Sequence, residues 1–366
     1  MAVGSTLRPA LIHLWVLLCL PWALSIFLFD ATLCLVPWTR PSRKWSLNQA
    51  IRMRVVRLLL LYWSVTKAGD RLHLRQGREK NRFEVIAPRP LGSYKGALAD
   101  TAVQPMQLGM TWTPSRPPPA SLVGPSMVVV LHFHGGGFVI GNGRDEDTGY
   151  LAQTLIRHMG CTHVCTPQYR LSSGKNGQFP APIQDALTAY LCLLKTKGIP
   201  ASQIILSGDS AGANIVLALV RYIHQYGQRD EIPPPKAITL WSPWVDVGGA
   251  LEQDLTRSPN YKTDYLNRQF GKWGPRPSPH MARSIRRAHI CRLYVIPSNS
   301  SQAFLCMKHG WLVHLDISEA CPHDILLLGP RVGFGAEAEE VARRARDFLS
   351  KNVGVNLGGY NRKGAL

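Results

Sequence analysis

The residues best suited to covalent chemistry form the pentapeptide GDSAG at 208–212, in which one serine stands between small residues. A short apolar run from Ile204 to Ser207 precedes it, and a helical pattern from Asn214 to Gln225 follows it. The arrangement G-x-S-x-G between a strand and a helix permits a sharp turn that lifts the serine out of the sheet edge. The pattern therefore predicts Ser210 as a nucleophile.

A second group of residues suits the stabilisation of negative charge. The sequence HGGGF at 134–138 follows the apolar run from Met127 to Phe133 and begins 76 residues before the serine. Consecutive glycines let backbone N–H groups turn toward one point, because no Cβ blocks the approach. Such a point stabilises a developing oxyanion. We expect the N–H groups of Gly135, Gly136 and Ala211 to form this site, although a glycine run alone is more typical of a turn.

A general base is expected near the end of the chain. Leu312 to Ile317 has the pattern of a strand, the residues CPHD at 321–324 follow it, and a helix is predicted from Glu337 to Lys351. A histidine in the loop after the last strand can lie over the serine and accept its proton. We therefore predict His323 as the base, with a purely structural loop histidine as the alternative.

Together these motifs resemble the hormone-sensitive-lipase-like branch of the α/β-hydrolases, the alpha/beta hydrolase fold-3 esterases and lipases. The resemblance extends from about Val103 to Leu349. The motifs that carry it are HGGGF at 134–138, YRL at 169–171, FPAP at 179–182 with Asp185, GDSAG at 208–212, SPWVD at 242–246, and His323-Asp324. The N-terminal part is also similar to that of the membrane-anchored arylacetamide deacetylases and steryl acetyl hydrolases.

The resemblance implies an α/β-hydrolase fold with a mostly parallel central sheet, flanking helices and an N-terminal helical cap. It implies a carboxylic ester hydrolase that acts on a small hydrophobic ester through an acyl-enzyme on Ser210. His323 would be the base, and Gly135, Gly136 and Ala211 would be the oxyanion donors. No metal or organic cofactor is implied.

The carboxylate that completes the catalytic triad in this family is missing from its expected place. The family places it after the penultimate strand, here predicted from Arg292 to Ile296, yet the loop at 297–302 contains no acidic residue. The whole window from Tyr265 to Leu315 has 8 basic residues and no Asp or Glu. Gln302 is a neutral amide and cannot stabilise an imidazolium as a carboxylate does.

Asp246 is the tentative replacement for this acid, because it follows the predicted strand from Ile238 to Trp241 at the same edge of the sheet. A loop or helix-cap carboxylate is the alternative interpretation of Asp246. Asp209 and Asp324 are expected to serve in local hydrogen bonds.

Two further hypotheses for the whole protein stay open. One is a catalytically impaired protein of this fold that binds a small apolar ligand, and the other is a misread segment near 265–315.

The N-terminal segment from Pro9 to Phe29 contains 21 residues without a formal charge. A helix of this length spans about 31 Å, close to the thickness of a bilayer core. We predict a single signal-anchor helix in the membrane of the endoplasmic reticulum. Its orientation is left open, and a cleaved signal peptide is the rival interpretation.

The pattern from Ile51 to Thr66 predicts an amphipathic helix. The predicted segments are the anchor 1–39, a basic amphipathic linker and cap 40–102, the hydrolase domain 103–352 and a tail 353–366.

Composition limits the remaining classes of function. The chain has 366 residues with 45% hydrophobic and 18% charged residues, which excludes a disordered chain. A formal charge of +19 is typical of proteins that bind nucleic acid or an anionic surface. No zinc-finger spacing, RNA-binding aromatic motif or basic heptad accompanies that charge, so we predict no nucleic-acid partner. Oligomeric state is left open.

Overall fold

The computed structural model describes most of the chain, including the two glycine-containing motifs and the loop of His323. The described residues are 3–70, 72–228, 231–245, 260–266, 268–273, 314–355 and 357. Asp246, the strand predicted from Arg292 to Ile296 and the loop at 297–302 with Gln302 lie outside them.

A six-stranded sheet forms the centre of the molecule. Its strands are β1 (Phe83–Ile86), β2 (Leu108–Thr113), β3 (Val129–Phe133), β4 (His163–Pro167), β5 (Ile204–Asp209) and β6 (Ala237–Trp241). Their order across the sheet is β1-β2-β4-β3-β5-β6. Strands β4, β3, β5 and β6 run parallel, whereas β2 is antiparallel to both β1 and β4. The predicted, mostly parallel central sheet is confirmed.

Strand β3 shows how the apolar runs of the sequence become a sheet buried on both faces. Leu131 and Phe133 pack with the helices on one face, whereas Val130 points to the other. Successive side chains of a strand alternate between faces, so a strand covered on both sides is mostly apolar, and His132 is the polar exception in β3. Because β3 pairs with β5 from Val129↔Ile204 to Phe133↔Gly208, the ends of these two strands lie side by side.

Eight helices surround the sheet in the described ranges. They are α1 (Val3–Leu33), α2 (Leu47–Thr66), α3 (Asp145–Thr154), α4 (Ala181–Leu191), α5 (Ala211–Tyr226), α6 (Arg268–Trp273), α7 (Ile325–Val332) and α8 (Gly335–Val353). Helices α4 and α5 cover one face of the sheet, and α3 and α8 cover the other. The chain thus forms three layers, helix–sheet–helix, as expected of an α/β-hydrolase fold.

Helix α2 contains the predicted amphipathic segment and begins at a well-defined cap. The Ser46 side chain accepts a hydrogen bond from the backbone N–H of Gln49, whose own side chain accepts one from the N–H of Ser46. Such a reciprocal capping box satisfies two backbone donors that a helix end otherwise leaves unpaired. The buried face of α2, including Met53, packs in one apolar cluster with Phe270 and Trp273 of α6.

The predicted membrane anchor is wrong. A span needs about 20 consecutive, predominantly apolar residues in one helix. Within the described part of the chain, no helix combines the required length and apolar character. The predicted single-pass topology, endoplasmic-reticulum membrane localisation and membrane partner are corrected accordingly.

A second correction concerns the strand predicted from Leu312 to Ile317. Over 314–317 the chain forms no strand, and it is attached to α8 by side chains instead. The rings of His314 and Phe348 stack with centroids 4.8 Å apart, and Asp316 forms an ion pair with Arg344. These contacts come from the polar residues of the segment, whereas Leu315 and Ile317 are 41% and 65% exposed, so the alternating apolar pattern does not mark a buried face. The division of the chain at residues 39, 102 and 352 stays a prediction, although β1 already joins the sheet before residue 103.

The central position of β3 leads to a test of stability. Leu131→Ala removes a fully buried side chain and should lower the free energy of unfolding by about 2–5 kcal/mol, because apolar contacts are lost and a cavity remains. Leu58→Ala, at a 41% exposed position of α2, is the matched control and should change it by about 0.5 kcal/mol or less. Urea unfolding measures both, and equal losses would contradict the central position of β3.

Candidate active site

Ser210 occupies the sharp turn that the sequence predicts between β5 and α5. Its backbone has φ 48° and ψ −113°, which is unusual for a residue with a side chain. Its N–H donates to the carbonyl of Trp241 at 2.9 Å, and its carbonyl accepts from the N–H of Trp244 at 3.0 Å. Strained backbone persists where the surroundings determine it on several sides. Segments at the end of β6 thus hold the serine in its turn.

Gly212 explains why the motif requires a glycine two positions after the serine. A Cβ at this position would overlap the carbonyl group of Phe133 at the end of β3. The first turn of α5 therefore lies directly against the end of the neighbouring strand. This contact brings the start of α5 beside the HGGGF loop.

The amides of the HGGGF loop are not equivalent. The N–H of Gly135 donates to Oδ2 of Asp209 at 2.7 Å, so this predicted oxyanion donor is already engaged. Gly136 has φ 99° and Gly137 has φ 61°. Within the described residues no hydrogen bond occupies the N–H of Gly136, Gly137 or Ala211. Gly137 was not among the oxyanion donors predicted from the sequence. Asp209, the acidic residue before the serine, was the sequence signal that the Gly135 N–H would have a hydrogen-bond partner.

Tyr169 of the YRL motif supports the HGGGF loop through a hydrogen bond and a ring contact. Its hydroxyl donates to the carbonyl of His134 at 2.7 Å, and its ring stacks on the His134 ring with centroids 4.3 Å apart. Burial lowers the pKa of His134 to about 4, so the ring is neutral near pH 7. The next residue, Arg170, forms a buried ion pair with Asp185 at 2.8 Å. Tyr169 thus helps to position the HGGGF loop.

A chain of buried, hydrogen-bonded side chains leads to Asp209, the residue before the serine. The sequence prediction missed this chain. Nδ1 of His132 lies 2.9 Å from Oγ of Ser207, and Nε2 lies 2.9 Å from Oδ1 of Asp209. The indole N–H of Trp241 donates to the same Ser207 Oγ at 2.9 Å. Burial lowers the pKa of His132 to about 3, which keeps the ring neutral. The signal in the sequence was the presence of polar residues inside otherwise apolar strands.

The loop of His323 reaches the serine turn through the residue that follows the histidine. Asp324 is buried, and burial, followed by the charge of Asp209, raises the pKa of its carboxyl group well above the usual value. The backbone N–H of Asp324 donates to Oγ of Ser242 at 2.9 Å, just beyond β6. The residue after the predicted base is thus joined to the segment whose Trp241 carbonyl accepts the N–H of Ser210.

His323 itself lies partly buried beside an aromatic side chain. The ring of Tyr265 meets the imidazole edge-on, with centroids 5.8 Å apart. Nε2 of His323 is buried and has no hydrogen-bond partner among the described residues. A buried polar atom without a partner is unusual in a folded protein and calls for an explanation. Asp246, the tentative acid, follows Val245, the last described residue of its segment.

The close approach at Gly212 yields a prediction with a matched control. Gly212→Ala should push α5 away from β3 and lower the free energy of unfolding by about 1–3 kcal/mol, although alanine favours a helix. Gly92→Ala places the same methyl group in open space and should be nearly neutral. Thermal unfolding of both variants measures the difference, and equal stabilities would contradict the contact.

Comparisons with known proteins agree with this arrangement. Residues 130–280 match the family described as alpha/beta hydrolase fold. An acetyl-hydrolase of Streptomyces hygroscopicus is 32% identical over 128 residues, which cover 35% of this chain and 40% of that protein. The putative acetyl-hydrolase LipR of Mycobacterium tuberculosis is 27% identical over 198 residues, which cover 52% of this chain and 56% of that protein. The chain thus spans about half the length of these relatives.

Among solved structures, an esterase from the bacterial hormone-sensitive lipase family is similar, with a TM-score of 0.51 and 19% identity. The match covers 85% of this chain and 99% of that one, and at this identity it supports the fold alone. The resemblance predicted from the motifs is confirmed: residues 130–280 match the alpha/beta hydrolase fold family, and the fold is similar to that of an esterase from the bacterial hormone-sensitive lipase family.

Proposed function

We propose that the chain is a serine carboxylic ester hydrolase that forms an acyl-enzyme on Ser210. The observation that carries the proposal is the convergence of three segments at the end of β5. The strained turn presents Ser210, the glycine loop lies against it with the N–H groups of Gly136 and Gly137 unoccupied among the described residues, and the loop of His323 reaches the end of β6 through the hydrogen bond from Asp324 to Ser242. A nucleophile, a group of oxyanion donors and a base are the components of acyl transfer.

The chemistry begins with proton transfer from the Ser210 hydroxyl to Nε2 of His323. The serine oxygen attacks the ester carbonyl, and the charge that develops on the carbonyl oxygen is stabilised by backbone N–H groups. Gly136 and Ala211 keep this role from the sequence prediction, and Gly137 takes the place of Gly135. Collapse of the intermediate breaks the ester C–O bond, and His323 returns the proton to the departing alcohol. Water then repeats the sequence, releasing the acid and restoring the serine.

A hydrophobic ester is the proposed substrate class. Aromatic side chains stand around the serine turn: Phe138 and Trp244 have ring centroids 6.1 Å apart, and Phe270 lies against Gly137. Helices α2 and α6, which pack together, would form the helical cap over the acyl pocket. The acetyl-hydrolase relatives make a short acyl group the first to test, and no metal or organic cofactor takes part in the proposed steps.

Labelling by a fluorophosphonate tests the proposed nucleophile directly. The wild-type protein should be labelled at Ser210 and should hydrolyse p-nitrophenyl acetate, because the probe and the ester are attacked by the same oxygen. Ser210→Ala should abolish both reactions. Ser25→Ala on the exposed surface of α1 is the matched control and should leave them unchanged. A folded wild-type protein that is neither labelled nor active would contradict the proposal and favour the ligand-binding alternative.

Asp246 remains the proposed acid of the triad. Asp246→Asn keeps the size of the side chain and removes its charge, so turnover of p-nitrophenyl acetate should fall by about 10⁴-fold. Asp316→Asn, which disrupts only an exposed ion pair with Arg344, is the control and should leave turnover unchanged. Unchanged turnover in folded Asp246→Asn would remove this residue from the triad.

A further inference from the structure

His132 is a fully buried histidine that the proposed catalytic steps do not use. It lies on β3 shortly before the HGGGF loop, and its neighbour on β5 is Ser207. Nδ1 of its ring lies 2.9 Å from Oγ of Ser207, and Nε2 lies 2.9 Å from Oδ1 of Asp209. Because both ring nitrogens have partners, the side chain joins β3 to two residues of β5.

The direction of these hydrogen bonds follows from Trp241. An indole N–H can only donate, so Oγ of Ser207 accepts it at 2.9 Å. The hydroxyl proton of Ser207 then needs an acceptor, and its partner among the described residues is Nδ1 of His132. Nδ1 is therefore unprotonated. The neutral ring carries its proton on Nε2 and donates it to Oδ1 of Asp209.

Asp209 is suited to receive this proton donor as a carboxylate. Its other oxygen, Oδ2, accepts the N–H of Gly135 at 2.7 Å, so both oxygens have a donor. A doubly protonated His132 would instead place an N–H against Oγ of Ser207 and leave the hydroxyl proton without its acceptor. Burial lowers the pKa of His132 to about 3 and raises that of Asp209 to about 6, which at neutral pH gives a neutral ring and a carboxylate.

The Gly135 amide belongs to the first of three consecutive peptide units that are held in place. The carbonyl of Gly135 lies 2.7 Å from Nδ1 of His134, and the carbonyl of Gly136 accepts two N–H groups of the same loop at 3.0 and 3.1 Å. In a planar trans peptide the N–H points away from the carbonyl of the same unit. The N–H groups of Gly136 and Gly137 are therefore directed away from these partners, and neither has a hydrogen bond among the described residues.

The engaged Gly135 amide also brings the loop against the serine. A Cβ at Gly135 would overlap Oδ2 of Asp209 and would lie 3.1 Å from Cβ of Ser210. The loop backbone therefore lies directly on these two residues. If the carboxylate turned away, the Gly135 N–H would be left unpaired in a buried place, which is unfavourable. The orientation of Asp209 thus determines the position of the glycine amides.

We propose that His132 is a positioning residue of the oxyanion site. As the neutral tautomer with its proton on Nε2, it donates to Asp209, and this carboxylate in turn holds the Gly135 amide. The next two N–H groups of the loop then stay directed at the substrate carbonyl. The catalytic meaning of this inference rests on the proposed esterase function, whereas the tautomer is a property of the fold alone.

Nitrogen NMR of the full chain with isotope-labelled histidine tests the tautomer. The signals of His132 are those that disappear in His132→Gln. At neutral pH they should show a protonated Nε2 and an unprotonated Nδ1, because Ser207 donates to Nδ1. A proton on Nδ1 in the wild-type protein would overturn the proposal, whether or not the protein is an esterase.

Steady-state hydrolysis of p-nitrophenyl acetate tests the positioning role. His132→Leu removes the donor to Asp209, so kcat should fall by about tenfold to a hundredfold with KM nearly unchanged, because oxyanion donors act in the transition state. His132→Gln supplies an amide N–H and should recover most of kcat. His163→Leu on β4, where the ring contacts the hydroxyl of the adjacent Thr162, is the matched control and should change neither constant. Folded His132→Leu with the wild-type kcat would overturn the role.

Asp209→Asn tests the same hydrogen bonds from the acceptor and serves if His132→Leu does not fold. One amide oxygen cannot replace two carboxylate oxygens, so one of the two donors loses its partner and kcat should again fall by about tenfold to a hundredfold. Wild-type kcat in folded Asp209→Asn would contradict the proposal. If the wild type hydrolyses no ester, the proposed function fails, while the NMR result still decides the tautomer.

Discussion

The carboxylate of Asp209 is the interaction on which the arrangement of the site depends. A fully buried charge must receive several hydrogen bonds, or the group will neutralise instead. Here the donors come from β3 through His132 and from the glycine loop through Gly135, which lie 77 and 74 positions before Asp209 in the sequence. Satisfying this one carboxylate therefore holds distant segments together beside Ser210.

The sheet supplies the constraint that makes this convergence feasible. Strands β3, β5 and β6 run parallel and end at the same edge, so the residues that follow them are neighbours. The HGGGF loop follows β3, Ser210 follows β5, and Ser242 follows β6. Ligand and active sites of open α/β sheets form at this edge for the same reason. The described helices pack on both faces of the sheet, and the motif residues lie at this edge.

Prediction from the sequence succeeded where the relevant interactions are local. The apolar run before HGGGF forms β3, and the run before GDSAG forms β5, because strands covered on both faces are mostly apolar. Prediction failed where an apolar pattern had another meaning. Leu315 and Ile317 are exposed and form no strand, and the apolar N-terminal segment does not provide a membrane-spanning helix among the described residues.

The sequence by itself determined the family of the fold and the identity of Ser210 as the residue in the turn, since a turn between strand and helix is encoded in five consecutive residues. Only the tertiary structure decided that the Gly135 amide is engaged by Asp209 and that His132 contacts the same carboxylate. Gly135 and Asp209 are 74 positions apart, and their contact exists only because β3 and β5 are adjacent in the sheet. Hydrogen-bond partners that come from distant strands depend on strand order and register, which no local pattern of residues specifies.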